Sequence, residues 1–370
     1  MSKTKLKDIA SFSKGQQING DQLLVDGNYE YLNGGINPSG KWSSFNVCGD
    51  TIAISEGGNS CGYVNYMAHD FWCGGHCYYL YDVKCLTKYL YYALKSQQGR
   101  IMKLRSGACM PNIKKKDLGD FVFEYNDNPV EQEKAIKLFD LFENVISYKT
   151  QQIKKLDELI KSLFVEMFGD IYSNTHIFPV ESLSESILFL TSGSRGWAKY
   201  CVDSGKEWFI TIKNVKDCRI STDDIQTINA PKNAEANRTR VNEGDLLISI
   251  TADLGRTGVI TKEIANHGAY INQHLTCIRL DRNKLNPLFV AYFMESESGK
   301  PQFEAKNQNG VKAGLNFDSI KSLKVLIPPI ELQNQFADFV TQIEKQKATV
   351  QKSIDRLETL KKSLMQEYFG

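Results

Sequence analysis

The run Cys73-Gly74-Gly75-His76-Cys77, with Cys61 upstream, carries side chains of the kind that bind zinc. A closed zinc site needs four such ligands and usually draws them from two paired knuckles. No second knuckle follows at that spacing. The same residues also read as buried thiols and a polar histidine in a glycine-rich turn, and the missing knuckle favours that reading. Pro328-Pro329-Ile330 lacks the preceding acid or amide and the following aromatic with which an adenine methyltransferase holds a flipped base. No Gly-x-x-x-x-Gly-Lys-Ser/Thr loop is present, which argues against an ATP motor. Glu304-Ala305-Lys306 mimics half of a metal-nuclease Glu-x-Lys pair, but no strand with an upstream acidic partner accompanies it. The expectation is a chain with no catalytic residues, no metal and no cofactor.

Composition bounds what else is possible. At 370 residues the chain has room for two or three domains. Its 42% apolar and 24% charged content is that of ordinary globular protein. A net charge of +2 counts against binding to a polyanion by bulk charge, though not by local basic faces. No apolar run approaches the roughly 20 residues of a membrane span, and nothing apolar follows Met1-Ser2-Lys3-Thr4-Lys5, so no membrane segment or export signal is expected. Nine cysteines without pairing regularity fit a reducing cytoplasm.

The elements that must position any site show up as an internal repeat. Residues 153–169, IKKLDELIKSLFVEMFG, match 354–370, IDRLETLKKSLMQEYFG, at a constant offset. Each copy is preceded by a proline entry, Pro129-Val130-Glu131-Gln132 and Pro328-Pro329-Ile330-Glu331-Leu332-Gln333; the first is one residue shorter, so Gln132 and Gln333 align but the prolines do not. From 131 to 168 there is neither proline nor glycine. Apolar residues recur there at alternating steps of three and four, through Phe139, Phe142, Ile146, Ile153, Leu156, Ile160, Leu163 and Met167, with Lys149 interrupting. The second copy runs Val340, Ile343, Lys347, Val350, Ile354, Leu357, Lys361, Leu364 and Tyr368. This is a heptad seam on a helix of roughly 55 Å. Such a helix cannot bury its stripe against itself, so the two copies are expected to pair. A pseudo-twofold relation makes them antiparallel. The predicted helix–helix seam is Phe142, Ile146, Ile153, Leu156, Leu163, Ile343, Val350, Ile354, Leu357 and Leu364, with Gly169 and Gly370 as C-caps.

The stretches before each helix correspond more loosely. Gly49–Ser55 pairs with Gly244–Ile250, each a turn feeding a buried strand. Gly75–Leu80 pairs with Gln273–Ile278, Lys88–Leu94 with Leu288–Met294, and Gly107–Asn112 with Gly310–Asn316. Both halves read as α+β scaffolds that differ in their loops. The fold class is therefore α+β: two globular domains separated by two long antiparallel coiled-coil helices, duplicated about a pseudo-twofold axis. The expected boundaries are 1–128 and 170–328 for the domains, and 129–169 and 329–370 for the helical spacers.

The Gly-Asp-plus-strand element, the Gly/Asn loop, the Pro-x-Glu-x-Gln start (one residue shorter in the first copy) and the Leu-x-x-Leu-x-x-Ser-Leu-x-x-x-x-Phe-Gly ending occur twice in order. With them the chain resembles the specificity subunit of type I restriction-modification systems. The resemblance covers essentially the whole sequence. It implies that each domain is a target-recognition domain reading half of a split, asymmetric double-stranded DNA target. It further implies that the helices set the spacing and dock two methyltransferase subunits, that motor-nuclease restriction subunits complete the complex, and that the chain itself is not an enzyme.

Base reading uses Arg or Lys for guanine, Asn or Gln for adenine, and Ser or Thr more generally, while phosphates take cations and hydroxyls. The loops then nominate DNA contacts. In the first half these are Lys14, Gln16, Gln17, Asn33, Asn37, Ser39, Lys41, Trp42, Asn59, Ser60, His76, Arg105 and Lys114. In the second they are Ser192, Ser194, Arg195, Lys199, Lys213, Asn214, Arg238, Arg240, Arg256, Gln273, His274, Asn307, Asn309 and Lys312. His76 and His274 align, as a structural pair or as groove contacts. The competing reading is a coiled-coil scaffold whose domains bind protein and no specific DNA. Near-zero net charge supports it.

Overall fold

The computed structural model describes residues 2–107, 111–307 and 314–370. Asn309 and Lys312 lie outside the described residues. The chain divides into two compact units, Met1–Ile153 with Thr349–Gly370, and Lys154–Ala348. Each therefore holds one globular domain and part of each long helix.

The first unit contains β1 (Ser2–Lys5), α1 (Leu6–Ile9), β2 (Ser11–Lys14), β3 (Tyr29–Leu32), β4 (Gly40–Trp42), β5 (Thr51–Ser55) and β6 (Val64–Met67). It continues with β7 (Phe71–Cys73), β8 (Cys77–Tyr81), α2 (Thr87–Ser96), α3 (Gln98–Met102), α4 (Lys115–Gly119), β9 (Val122–Tyr125) and the start of α5 (Pro129–Phe168). Its strands form a β2-β8-β5-β6 sheet, a β4-β3-β7 sheet and a β1-β9 ribbon. The second unit contains β10 (Val180–Ser182), β11 (Ile187–Ser192), β12 (Glu207–Ile210), β13 (Val215–Lys216), β14 (Arg219–Ile220), β15 (Gln226–Ile228), α6 (Ala234–Thr239), β16 (Leu246–Ser249) and β17 (Thr257–Val259). There follow α7 (Lys262–His267), β18 (Ala269–Ile271), β19 (Leu275–Leu280), α8 (Pro287–Glu295), α9 (Lys300–Ala305), α10 (Phe317–Lys321), β20 (Lys324–Leu326) and α11 (Ile330–Phe369). The same three sheets recur as β11-β19-β16-β17, β15-β12-β18 and β10-β20. The β13-β14 hairpin has no counterpart among the described residues of the first unit.

Burial alternation sets the register between the copies. In β5, Ile52 and Ile54 enter the main core while Ala53 faces a second cluster with Leu32 and Cys73. In β16, Leu246 and Ile248 enter the main core and Leu247 faces the second cluster with Ile210 and Ile271. Ser55 is thus equivalent to Ser249, not to Ile250. A slip of one residue turns every side chain to the other face. Pairing the two Gly-Asp dipeptides is corrected accordingly: the left-handed turn positions are Asp50 (φ 50°) and Gly244 (φ 78°). The later loop shifts too. Ile113 N–H donates to Glu56 O at 2.9 Å as Leu315 N–H donates to Ile250 O at 3.0 Å, which equates Lys114 rather than Asn112 with Asn316.

Helices α5 and α11 begin 201 residues apart, and each runs 40 residues. Gly169 (φ 65°) and Gly370 (φ 80°) adopt the left-handed conformation that ends a helix. Within the first unit the Phe139 and Phe369 rings lie 5.6 Å apart and Lys361 bonds Glu143 at 2.9 Å, so the two helical segments run antiparallel there. Within the second, Phe168 lies 5.6 Å from Phe336 and Lys347 pairs with Asp157, again antiparallel. Phe142, Ile343 and Ile354 are buried, and Ile146, Ile153, Leu156, Leu163, Val350, Leu357 and Leu364 are half-buried. A second stripe anchors each helix to its domain: Ala135, Phe139 and Phe369 in one core, Phe164, Phe168 and Phe336 in the other.

The glutamine at each helix start does the same by hydrogen bonding. Gln132 accepts from Leu86 N–H at 3.1 Å and donates to Asn126 O at 2.7 Å. Gln333 accepts from Asn286 N–H at 2.8 Å and donates to Pro328 O at 2.8 Å. Both side chains are buried. Each satisfies the exposed start of a short helix and the carbonyl before a long one.

Candidate nucleic-acid interface

One end of each domain gathers the loops that carry the nominated residues, and a shared set of backbone bonds holds them. Gly15 N–H donates to Cys77 O and Gln16 N–H to Cys73 O, at 3.2 and 2.8 Å. Gly193 N–H donates to Leu275 O and Ser194 N–H to Ile271 O, both at 3.1 Å. Both crossings need glycine. A Cβ on Gly15 would sit 2.0 Å from Cys73 O, and one on Gly193 would sit 2.0 Å from Asn272 O. Glu56 N–H bonds His76 O at 2.8 Å, as Ile250 N–H bonds His274 O at 3.0 Å. The turn after β5 is therefore tied to the turn between β7 and β8, and likewise in the second copy.

In the first unit this frame brings together Lys14, Gln16, Gln17, Asn33, Ser60 and His76. Lys14 pairs with Glu56. Asn33 Oδ1 accepts from His76 N–H at 3.0 Å, and Ser60 Oγ donates to Gly34 O at 2.6 Å. Trp72 Nε1 donates to Gln16 O at 2.8 Å and meets Trp42 edge to face. Asn37, Ser39, Lys41, Asn59, Arg105 and Lys114 are exposed around it. Sequence reasoning missed Trp72, and also Asn46, which clasps both the N–H and O of Cys73 at 2.7 and 3.0 Å. No spacing announced either.

In the second unit Gln273 and His274 occupy the equivalent turn, where Thr251 Oγ1 lies 2.7 Å from His274 Nδ1. Arg238 reaches back to Thr191 and to Ser192 O. Arg256 pairs with Asp253, Lys199 lies over the Tyr200 ring, and Asn307 accepts Gly314 N–H at 3.2 Å. Arg195, Lys213 and Arg240 are exposed. Two nominated residues leave the surface. Asn214 is buried because it caps its own turn, accepting from Thr211 N–H and Oγ1 and donating to Ser221 O. Ser194 is buried with its hydroxyl on Thr239.

The aligned histidines share a turn position but not a setting: the His76 ring is exposed, and the His274 ring is held by Thr251 and Gln273. Cys61, Cys73 and Cys77 are buried while His76 faces outward. Hydrogen bonding with Cys77, then burial, pushes the Cys73 thiol up, so it stays protonated. Among the described residues no group of three or more His, Cys, Asp or Glu is placed to hold a metal ion.

Two scaffolds with one frame and different loop side chains can present two distinct donor and acceptor patterns to a ligand. The type I restriction modification DNA specificity domain matches residues 1–158 and again 203–359. The chain belongs to this family. A Mycoplasma pneumoniae protein assigned as a type I specificity subunit is 36% identical over 162 residues, 43% of this chain and 41% of that one. A Mycoplasma genitalium counterpart is 34% identical over 169 residues, 44% of each. The matches thus span less than half the length of these relatives. The EcoKI specificity subunit of Escherichia coli is 24% identical over 347 residues, 86% of this chain and 73% of that one. The crystal structure of a type I S subunit from M. genitalium shares the fold, with a TM-score of 0.63 at 20% identity, covering 100% of this chain and 96% of that one. Among the described residues no helix of this family member is long and apolar enough to cross a membrane.

Proposed function

We propose that this chain is the non-catalytic DNA-reading subunit of a type I restriction-modification complex. Each globular domain reads one half of a bipartite, asymmetric duplex from its loop end. Residues 1–128 and 170–328 are the reading domains, and the helices 129–169 and 329–370 set the distance between half-sites. The helices also dock two methyltransferase subunits, and motor-nuclease subunits join that assembly. The observation that carries the reading is the repeated hydrogen-bonded frame around Gly15 and Gly193, which offers different side chains in each copy. Contacts to bases fall to Gln16, His76, Arg195, Gln273 and their loop neighbours. Ser194 and Asn214 act as braces instead.

The test is a footprint of the purified chain with its methyltransferase partner on a random duplex library. The expected result is two protected segments at fixed separation and binding that weakens steeply with salt. Equal binding to all duplexes at physiological salt would sink the reading. Salt-independent behaviour would instead favour the protein-binding scaffold.

A further inference from the structure

The two copies furnish one turn differently. Gly57 and Thr251 are equivalent, because Gly57 bridges Asn112 as Thr251 bridges Gly314. Gly75 and Gln273 are equivalent, because each directly precedes the aligned histidine. The first copy thus flanks His76 with two glycines and leaves its ring exposed. The second flanks His274 with a hydroxyl and an amide, and both reach the ring. Thr251 Oγ1 lies 2.7 Å from Nδ1, and Gln273 Nε2 lies 3.3 Å from the ring's Nε2. The backbone holds the ring from behind: His274 N–H donates to Asn272 Oδ1 at 3.1 Å, and its carbonyl accepts Ile250 N–H at 3.0 Å.

A neutral imidazole carries one proton, so one ring nitrogen donates and the other accepts. The amide nitrogen of Gln273 donates and cannot accept, so the ring's Nε2 is the acceptor. The proton is then on Nδ1, directed at Thr251 Oγ1. Gln273 is left with its oxygen and one N–H, and no other described residue bonds either. One acceptor beside one donor complements the major-groove edge of adenine, where N6 donates and N7 accepts. The opposite proton placement would turn the amide round, hold its oxygen on the ring's Nε2–H and free both N–H groups. Two donors suit guanine, which offers N7 and O6. The ring therefore decides which purine the glutamine can take.

We propose that His274, held by Thr251, is a positioning residue that fixes the Gln273 amide so that the second domain reads an adenine there. This rests on the DNA reading proposed above and adds to it one base and the residues that select it. Thr251 and His274 act through Gln273. The first copy has glycine at both flanking places, so no such relay constrains His76.

The test is selection from a random duplex library by the full chain with its methyltransferase partner, at a pH of about 8, where imidazole is neutral. Gln273→Ala locates the position: the base preference it erases should be for adenine, in one half-site only. At that position alone, Thr251→Val and His274→Phe should each lower the ratio of adenine to guanine by about ten-fold, and Thr251→Ser should restore it. The other half-site, unchanged in every variant, is the internal control. Thermal melts accompany the selections, and His274→Phe keeps the test open if Thr251→Val fails to fold. The proposal is overturned if the wild type selects a bipartite site but the base lost with Gln273→Ala is not adenine. It is also overturned if Thr251→Val and His274→Phe weaken all positions alike and leave the adenine preference intact, since they would then be braces. If the wild type selects no bipartite site, the DNA reading itself fails and this proposal falls with it.

Discussion

Gly15 and Gly193 are the positions where one added carbon should be felt most. The atoms a Cβ would strike are backbone, at 2.0 Å, and cannot swing away as a side-chain tip can. Gly15→Ala or Gly193→Ala should each cost about 2–3 kcal/mol in urea unfolding and loosen the loop end of its own domain only. Gln333→Leu strands the Asn286 N–H and the Pro328 and Lys284 carbonyls, so a loss of about 1–3 kcal/mol is expected by the same measurement. Gln132→Leu should behave alike through Leu86 and Asn126. Lys95 offers a test in pH. Burial lowers it to about 8, with Glu143 opposing and Lys361 assisting. The unfolded chain keeps that proton up to about 10.5, so between these values the unfolded state binds more protons and stability rises with pH. Wild type should therefore gain stability relative to Lys95→Met as the pH is raised from 8 toward 10, read by denaturant midpoints of the two chains. A flat difference would mean the lysine is solvated.

At the scale of elements, the long helices were legible because a seam and a fixed ending both demand particular residue types at particular steps. Their second, domain-facing stripe was only half legible: Phe139 fell on the seam pattern, while Phe164 and Phe168 fell off it and are core residues of the second unit. The paired strands were found but set one residue out, because the Gly-Asp identity is a coincidence of turns. The burial alternation of Ile52, Ala53 and Ile54 decides the register, and it needs both faces in view. The loop residues were least legible. Whether an asparagine faces solvent or caps a turn, as Asn214 does, depends on partners distant from any motif. Lys347 shows the same limit: it interrupts the seam pattern, yet it is nearly buried and paired with Asp157 and Glu344. Replacing it with methionine leaves both acids on Arg219 and fills the seam, so Lys347→Met should lie within about 1 kcal/mol of wild type or be more stable. Asp157→Leu leaves Lys347 nearly buried with one acid and should cost about 1–3 kcal/mol, both read by urea unfolding. Burial alone would raise the Asp157 carboxyl, but bonds from Lys347 and Arg219 outweigh it and hold it below 3.8. Its contribution is present above that value and is lost as the pH falls through the lower, folded one.

For the whole molecule, the point at issue is where the exchangeable piece begins. The repeat suggests cutting at the ends of the helices, residues 170 and 328, and on the proposed reading a chimera made there should change one half-site and leave the other. The cores place the boundary elsewhere. Phe164 stacks on Phe289, Phe168 meets that ring edge to face, and Phe336 packs against both, so the second unit reaches into both helices, from Lys154 to Ala348. A cut at 170 and 328 separates these rings from the core they fill. A cut at 154 and 348 moves them together with their partners, and it also keeps Asp157, Glu344, Lys347 and Arg219 in one piece. With a donor from the same family, the 154–348 exchange should therefore melt near the parent temperature while the 170–328 exchange melts lower. Footprints of the two should show the same altered half-site, because the reading loops are common to both. If the 154–348 chimera altered both half-sites, the domains would not be independent readers. If instead the 170–328 chimera were the more stable, the aromatic anchors would belong to the spacer rather than to the domain.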